Sequence, residues 1–235
     1  RRLLLFDYDG TLAPIRSRPE EAVPSHRLCE LLRTLGTDAA NRVVICSGRD
    51  SGTLEKWFGG LPVSLAAEHG AFYKDRGAWR CNIRPASWDP KLSALLEHFA
   101  RKTPRSRIER KQTALAWHYR EADSWLGQLR AQQLVNALMP LCTRLNLHIL
   151  QGDKVEIKSP RFTKGSETLR LLRQERYDFI LALGDDTTDD DMFAALPPRA
   201  LSVKVGNASE HARYNMPEQS EVVPLLELLA RDRGS

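Results

Sequence analysis

The sequence predicts a doubly wound α/β fold, in which helices cover both faces of a parallel sheet, with a smaller α+β module inserted into it. Two observations support this prediction. Short apolar runs alternate with amphipathic helical segments near both ends of the chain, which is typical of repeated βα units. Over 104–160, short alternating segments instead surround one long helical segment. We therefore expect a core domain from 1–103 and 161–235, and an inserted domain from 104–160.

Composition places the chain among ordinary globular proteins. Of its 235 residues, 42% are hydrophobic and 28% are charged, which excludes a disordered or collagen-like chain. The net charge of +5 favours anionic partners without demanding nucleic acid, and RNA binding would need more stacking aromatics than the basic segment 101–120 offers. No apolar run approaches the ~18 residues of a membrane span. Without a signal-like segment, we expect a cytoplasmic location and no membrane partner.

The core elements follow in order along the chain. A continuous apolar run over 3–6 predicts a strand buried on both faces. After Ser25, four leucines recur at helical spacing and predict a helix that ends near Gly36. The same alternation predicts strands over 43–46, 63–67, 179–183 and 201–205, with helices near 52–58, from Lys164 onwards, and after the last two strands. The helix from Lys164 is expected to bury Leu169, Leu171 and Leu172.

The inserted segment has a different pattern. Alternation predicts antiparallel strands over 107–111 and 115–120, and two more over 148–151 and 154–158. Between them, 123–138 predicts one long amphipathic helix, whose buried side would carry Leu126, Leu129, Leu134 and Leu138. Strands clustered around a helix indicate a small α+β module.

Two carboxylates, Asp7 and Asp9, follow the first predicted strand. Ligands bind at the carboxyl ends of strands in open α/β sheets, and Gly10 would let the chain turn there. Two close carboxylates repel each other unless a hard divalent cation compensates, and Mg²⁺ prefers such oxygen ligands. The alternative is a strand that simply ends in a turn rich in Asp and Gly.

Two further segments could bind an anion. Ser47 and Gly48 follow the second strand, where a hydroxyl and backbone N–H groups can face anionic oxygens. Lys164 begins a predicted helix, so its charge would add to the positive end of the helix dipole. In isolation, the first pair is also an ordinary loop and Lys164 is also an ordinary solvated lysine.

An unusually dense acidic run follows the strand over 179–183. Residues 184–191 contain five aspartates, whereas helix capping needs only one or two of them. Because this run also lies at the carboxyl end of a strand, Asp185 is expected to complete the cation site, with its neighbours orienting the ligands. Together, the four segments supply a nucleophile, a second carboxylate, a cation site and an anion site, which is what phosphoryl transfer requires.

In this order and spacing, the segments resemble the four motifs of the haloacid dehalogenase superfamily. The resemblance implies that Asp7 attacks phosphorus to form an aspartyl-phosphate, and that Asp9 protonates the leaving oxygen and then activates water. It implies that Mg²⁺ is held by Asp7, the backbone carbonyl of Asp9, and Asp185, and that the metal site is supported by Asp186 and Asp189. It also implies that the phosphoryl group is bound by Ser47, Gly48 and Lys164. Asp at position 9 is typical of the superfamily's phosphatases, since its ATPases usually carry Thr there.

The inserted segment is similar to the cap of trehalose-6-phosphate phosphatases. The resemblance is carried by 109–111, 116–120 and 152–156 in the insertion, and by 67–71 and 184–193 in the core, particularly as in the phosphatase half of fused synthase and phosphatase chains. It implies that Glu109, Lys111 and Glu156 contact glucose hydroxyls and that the cap closes over the active site. The family usually has Glu where Asp190 stands, and the stretch after Glu156 is one residue shorter than its usual pattern.

The leading hypothesis is therefore a Mg²⁺-dependent phosphatase that acts on a small-molecule sugar phosphate, trehalose 6-phosphate. Its alternatives are a phosphatase of sucrose 6-phosphate or mannosyl-3-phosphoglycerate, and an inactive sugar-phosphate-binding domain that regulates a partner. Because the chain begins at Arg1, we expect it to be part of a longer protein, possible partners being a fused or associated trehalose-6-phosphate synthase.

Overall fold

The structure, a computed structural model, describes residues 1–75, 77–81, 88–111, 113–152 and 154–231. Its strands are β1 (Arg2–Phe6), β2 (Asn41–Cys46), β3 (Ser64–Ala67), β4 (Phe72–Lys74), β5 (Arg80–Cys81), β6 (Arg107–Arg110), β7 (Ala114–His118), β8 (His148–Gln151), β9 (Lys154–Lys158), β10 (Phe179–Gly184), β11 (Leu201–Val205) and β12 (Tyr214–Met216). Its helices are α1 (His26–Thr37), α2 (Ser51–Phe58), α3 (Pro90–Arg101), α4 (Ser124–Leu145), α5 (Lys164–Gln174), α6 (Thr187–Ala194) and α7 (Val222–Arg231).

The described residues form two compact units by their contacts. Residues up to 81 group with those from 162 onwards, and we call this the core unit. Residues 88–161 form the second unit, which we call the cap unit. Helix α3, which lies inside the segment 1–103 assigned to the core, is part of the cap unit because it packs against α4. The domain limits 1–103, 104–160 and 161–235 stay a prediction.

The core unit is built on a largely parallel sheet, as the sequence predicts. Its strand order is β12-β11-β10-β1-β2-β3-β4-β5, and the strands from β12 to β3 run parallel. The last two strands, β4 and β5, pair antiparallel at one edge. Strand β1 lies between β10 and β2, so its carboxyl end is at the middle of the sheet.

Strand β1 is buried on both faces, which explains its continuous apolar run. Leu3 and Leu5 belong to an apolar cluster that includes Leu171 of α5 and Phe193 of α6. The alternate side chains of the same strand, Leu4 and Phe6, are also buried. A strand covered on both sides needs no polar alternation, and this fixes the fold class as α/β.

Helix α1 is the helix predicted after Ser25. The Ser25 hydroxyl caps it by accepting the N–H of Leu28 at 3.2 Å. Its buried residues are Leu28, Leu31, Leu32 and Leu35. This face packs against β2, and α1 also contacts α7.

The cap unit is an antiparallel sheet with two helices on one face. Its strand order is β6-β7-β9-β8. Leu115 and Trp117 of β7 point to the face that packs against α3 and α4, together with Val155 and Ile157 of β9. Their neighbours along each strand must therefore point to the opposite face.

Some expectations about the helices are wrong. Leu129 is 40% exposed, because the buried stripe of α4 instead consists of Gly127, Ala131, Leu134, Val135, Leu138 and Cys142. This stripe continues past Pro140, so α4 extends beyond the predicted end at 138. Leu169 of α5 is also exposed. Along the described part of the chain, no helix is both long enough and apolar enough to span a membrane.

Candidate active site

The carboxyl ends of three neighbouring strands bring the predicted motifs to one edge of the core sheet. In the parallel register, Phe6 of β1 lies opposite Ile45 of β2 and Leu183 of β10. Asp7, Ser47 and Asp185 follow these positions within two residues, so all three lie at the same edge of the sheet.

Gly10 allows the chain to turn sharply beside Asp185. Its φ of +86° is in the left-handed region, which favours glycine. A Cβ at this position would stand 2.0 Å from Oδ2 of Asp185, so the Asp185 carboxylate would have to move to admit one. Thr11 donates to Oδ1 of the same carboxylate at 3.2 Å. The turn after β1 is therefore packed directly against the aspartate that follows β10.

Lys164 is buried among carboxylates, not solvated. Its side chain is 2% exposed, and its Nζ lies 2.7 Å from Oδ1 of Asp7 and 2.7 Å from Oδ1 of Asp189. Burial alone would lower the pKa of this ammonium group, but the charges of Asp189 and Asp7 outweigh burial and raise it. Thr163 caps α5 in a capping box with Ser166, which holds Lys164 at the first turn.

Asp189 organises the loop between β10 and α6. Its Oδ2 accepts the backbone N–H groups of Asp185 and Asp186, each at 3.0 Å, while its Oδ1 accepts from Lys164. Asp186 completes a capping box with Asp189 by accepting the N–H of Asp189 at 3.3 Å, and it also accepts the N–H of Thr188 at 2.7 Å. Both residues thus hold the backbone that carries Asp185.

The acidic cluster fits a hard divalent cation. Ligand atoms of Asp7, Asp185 and Asp189 lie within 4.8 Å of one another, and all are carboxylate oxygens, the donors that Mg²⁺ prefers. Burial raises the pKa of Asp7, and nearby Asp185 and Asp186 raise it further against the effect of Lys164. Burial also raises the pKa of Asp185 to about 6 and that of Asp189 to about 8. One lysine therefore does not balance the cluster, and a bound cation would.

The Asp9 carboxylate lies outside this cluster and is paired with Arg49. The Nε of Arg49 donates to Oδ2 of Asp9 at 2.8 Å, and Nη2 donates to Oδ1. Ser47 is buried, and its Oγ accepts the backbone N–H of Arg49 at 3.2 Å. Gly48 lies against the ring of His69, since a Cβ there would be 2.9 Å from Nε2.

In the cap unit, Glu109, Lys111 and Glu156 come together on one face of the sheet. Glu109 of β6 and Glu156 of β9 are both in register with Ala116 of β7, so the three side chains form one row. Ala116 contributes only a methyl group to the row between the two glutamates. The Nζ of Lys111 lies 3.9 Å from Oε2 of Glu109 and 3.7 Å from Oε1 of Glu156.

Two neighbours of this row were not predicted as functional residues. His118 contacts Glu109 with 2.7 Å between Nε2 and Oε2, and Lys154 contacts Glu156 at 2.8 Å. Despite partial burial, His118 and Lys111 lower the pKa of Glu109 to about 2. His118 lies two positions from Ala116 on β7, and Lys154 lies two positions from Glu156 on β9. Residues at this spacing share a face of a strand, so the sequence could have identified both. Asp153, part of the motif over 152–156, lies outside the described residues.

Lys204 on β11 was also not predicted to support the acidic loop. Its Nζ donates to the backbone carbonyl of Asp186 at 2.5 Å and to Oδ1 of Asp190 at 3.0 Å. Ser209 donates to the same Asp190 oxygen at 2.7 Å. The carboxylate of Asp190 is therefore used to brace the loop. A lysine on a buried strand was the available signal, because it needs a partner.

A sequence profile for the family described as Trehalose-phosphatase matches residues 5–221. The chain belongs to the trehalose-phosphatase family. It is 43% identical over 223 residues to a trehalose-phosphatase of Zygosaccharomyces rouxii, covering 83% of this chain and 25% of that protein. It is 40% identical over 233 residues to a bifunctional trehalose-6-phosphate synthase/phosphatase of Thermoproteus tenax, covering 97% of this chain and 32% of that protein. The chain thus spans a quarter to a third of the length of these relatives.

Solved structures agree with the family. The C-terminal domain of trehalose-6-phosphate phosphatase from C. albicans is 36% identical, with a TM-score of 0.90, and the match covers 100% of this chain and 94% of that chain. A haloacid dehalogenase-like hydrolase from Bacteroides thetaiotaomicron is 17% identical, with a TM-score of 0.69 over 97% of this chain and 99% of that chain, and it shares the fold. The predicted family and fold class are confirmed.

Proposed function

We propose that this chain is a Mg²⁺-dependent phosphatase that hydrolyses trehalose 6-phosphate to trehalose and phosphate. The proposal rests on one observation: in a chain of this family, the side chains of Asp7, Lys164 and Asp185 lie close together at one edge of the sheet. A buried carboxylate beside a buried ammonium group is suited to attack a phosphate whose charge must be neutralised.

The reaction would proceed in two steps on this chain's residues. Asp7 attacks phosphorus, so that a bond from its carboxylate oxygen to phosphorus forms while the bond from phosphorus to the sugar oxygen breaks. Asp9 protonates the departing sugar oxygen. Asp9 then takes a proton from water, which attacks phosphorus and releases Asp7 and inorganic phosphate. Ser47, Gly48 and Lys164 bind the oxygens of the transferring group.

Asp7, the backbone carbonyl of Asp9, and Asp185 would hold the Mg²⁺, which supplies charge neutralisation for the phosphoryl oxygens. Asp186 and Asp189 would support this site, since they hold the backbone on which Asp185 lies. The two oxygens of Asp189 are already used by Lys164 and by two backbone N–H groups. Asp189 is therefore better suited to hold the loop than to bind the cation.

Glu109, Lys111 and Glu156 would bind the glucose hydroxyls. Two carboxylates and an ammonium group around a small alanine offer acceptors and a donor to neighbouring hydroxyls. In the inserted domain, taken as 104–160, these residues would set the preference for the trehalose ester. We also propose that a trehalose-6-phosphate synthase is fused to or associated with the chain. The proposed location is the cytoplasm.

A phosphate-release assay over several sugar phosphates tests the proposal. Trehalose 6-phosphate, sucrose 6-phosphate and mannosyl-3-phosphoglycerate are compared with Mg²⁺ and with a chelator. We expect rapid release from the trehalose ester with Mg²⁺ and none with the chelator. Equal rates on all three esters would contradict the substrate. Binding of trehalose 6-phosphate without any turnover would favour an inactive sugar-phosphate-binding domain.

A further inference from the structure

Arg49 holds both carboxylate oxygens of Asp9 at once. Its Nε lies 2.8 Å from Oδ2, and its Nη2 donates to Oδ1. This two-point contact fixes the plane of the carboxylate, whereas a single contact would leave it free to rotate. We propose that Arg49 is a positioning residue that orients Asp9 for proton transfer, an inference that rests on the proposed function.

The guanidinium group is itself fixed from other directions. Its Nη1 donates to the carbonyl oxygen of Pro19 at 2.5 Å, and its Cζ lies 5.0 Å from the centre of the Trp57 ring. Trp57 in turn packs against Tyr8, with 5.2 Å between ring centres. An arginine held by a carbonyl and an aromatic face can impose its orientation on the carboxylate it contacts.

The backbone of Arg49 is also tied to the candidate active site. Its N–H donates to Oγ of Ser47 at 3.2 Å, and its carbonyl oxygen accepts the N–H of Glu68 at 2.9 Å. The residue therefore joins the loop that carries Ser47, which would bind phosphate, to the side chain of Asp9, which would transfer the proton.

Asp9 needs such a partner because its side chain is only partly enclosed. It is 36% exposed, in contrast to buried Asp7 two residues earlier. A partly solvated aspartate can adopt several rotamers, and only one range of orientations points an oxygen at a given leaving group. A misplacement of about 1 Å can cost about 100-fold in rate. A partly exposed ion pair contributes little to stability, so a purely structural role explains this arrangement less well.

A double-mutant cycle between Arg49 and Asp9 tests the inference. We would measure phosphate release by R49Q, R49K, D9N and R49Q/D9N, using the best substrate of the wild type and long assay times for slow variants. R33Q, which changes an exposed arginine on α1, is the matched control. Melting temperatures establish that each variant is folded, and R49K keeps the charge if R49Q is not folded.

If Arg49 acts through Asp9, R49Q should lower kcat by about 10- to 100-fold and leave KM nearly unchanged. R49K should retain an intermediate rate, since it keeps the charge without the two-point contact. In the D9N background, R49Q should change the remaining rate by less than about twofold.

Equal losses in the two backgrounds would overturn the inference, because Arg49 would then act independently of Asp9. An increase in KM with unchanged kcat would overturn it as well and make Arg49 a substrate-binding residue. If the wild type acts on another sugar phosphate and not on trehalose 6-phosphate, only the proposed substrate fails. A wild type inactive on every phosphate monoester would overturn both proposals.

Discussion

At the scale of single residues, the candidate active site holds more negative charge than it can balance. Lys164 is paired with Asp7 and Asp189, while Asp185 and Asp186 lie close by. Burial raises the pKa of Asp7 and of Asp189, so it costs free energy to keep these groups ionised. Such a cluster is expected where function, and not stability, determines the residues.

Replacement of Asp7 by Asn should lower the rate of phosphate release without lowering the stability of the fold. D7N keeps the shape of the side chain and removes the proposed nucleophile, so we expect phosphate release to fall by more than about 1000-fold. Lys164 retains Asp189 at 2.7 Å, and one repulsive charge is lost. The melting temperature without metal should therefore be equal to or higher than that of the wild type. Near-normal turnover would show that another residue attacks phosphorus.

Mg²⁺ should stabilise the folded chain through Asp185. A ligand that binds only the folded state raises the melting temperature, by about 2–4 °C for each kcal/mol in a chain of this size. We expect this increase for the wild type and its loss in D185N. D191N is the matched control, because Asp191 belongs to the same acidic run but is exposed. An equal increase in D185N, measured by thermal unfolding with and without Mg²⁺, would remove Asp185 from the metal site.

At the scale of elements, the ends of strands and helices place the reactive groups. The apolar run of β1 and the acidic run after β10 could be recognised from the sequence, because each depends on neighbouring residues. The pairing of Asp9 with Arg49 could not, since it joins residues that are adjacent only after β1 and β2 have paired. For the same reason, the residues next to Lys164 in the sequence do not by themselves show that its side chain is buried between Asp7 and Asp189.

In the cap unit, the row that contains Glu109 should make stability depend on pH. Its folded pKa of about 2 lies below the ordinary value of 4.5, so the carboxylate stabilises the fold above pH 4.5. This contribution is lost as the pH falls from 4.5 toward 2. E109Q should therefore melt below the wild type at pH 7, and the difference should shrink below pH 4.5. A constant difference from pH 7 to pH 3 would contradict the role of this charge.

At the scale of the whole molecule, the core unit and the cap unit each have an apolar cluster among their described residues. One joins β1 and β10 to α5 and α6, and the other joins β7 and β9 to α3 and α4. The sequence predicts the two parts from the change of pattern along the chain. Helix α3 was not predicted from the sequence, although four apolar residues recur at helical spacing after Pro90, namely Leu92, Leu95, Leu96 and Phe99. Leu129 fits a helical period too, so period alone does not show which face is buried.

A core substitution in the cap unit should leave metal binding intact. Trp117 is fully buried, and its Nε1 donates to Oγ of Ser106 at 3.0 Å. W117A should destabilise the cap unit by roughly 3–5 kcal/mol, since such truncations leave a cavity. Calorimetry should show this loss, while titration should show unchanged Mg²⁺ affinity in the folded protein. The milder W117F serves as control, and a matching loss of Mg²⁺ affinity would show that the two clusters are not independent.

The pairing of β1 with β10 has a consequence for the order in which the protein is made. Leu5 lies opposite Ala182, so the two halves of the central sheet are separated by most of the polypeptide. A ribosome releases the first strand long before its partner, whereas the segment 88–161 is continuous and can fold as it emerges. Asp7 can contact Lys164 and Asp185 only after the segment 88–161 has been synthesised. An incomplete nascent chain therefore cannot assemble the acidic cluster, and the proposed hydrolysis could begin only once translation has passed α6.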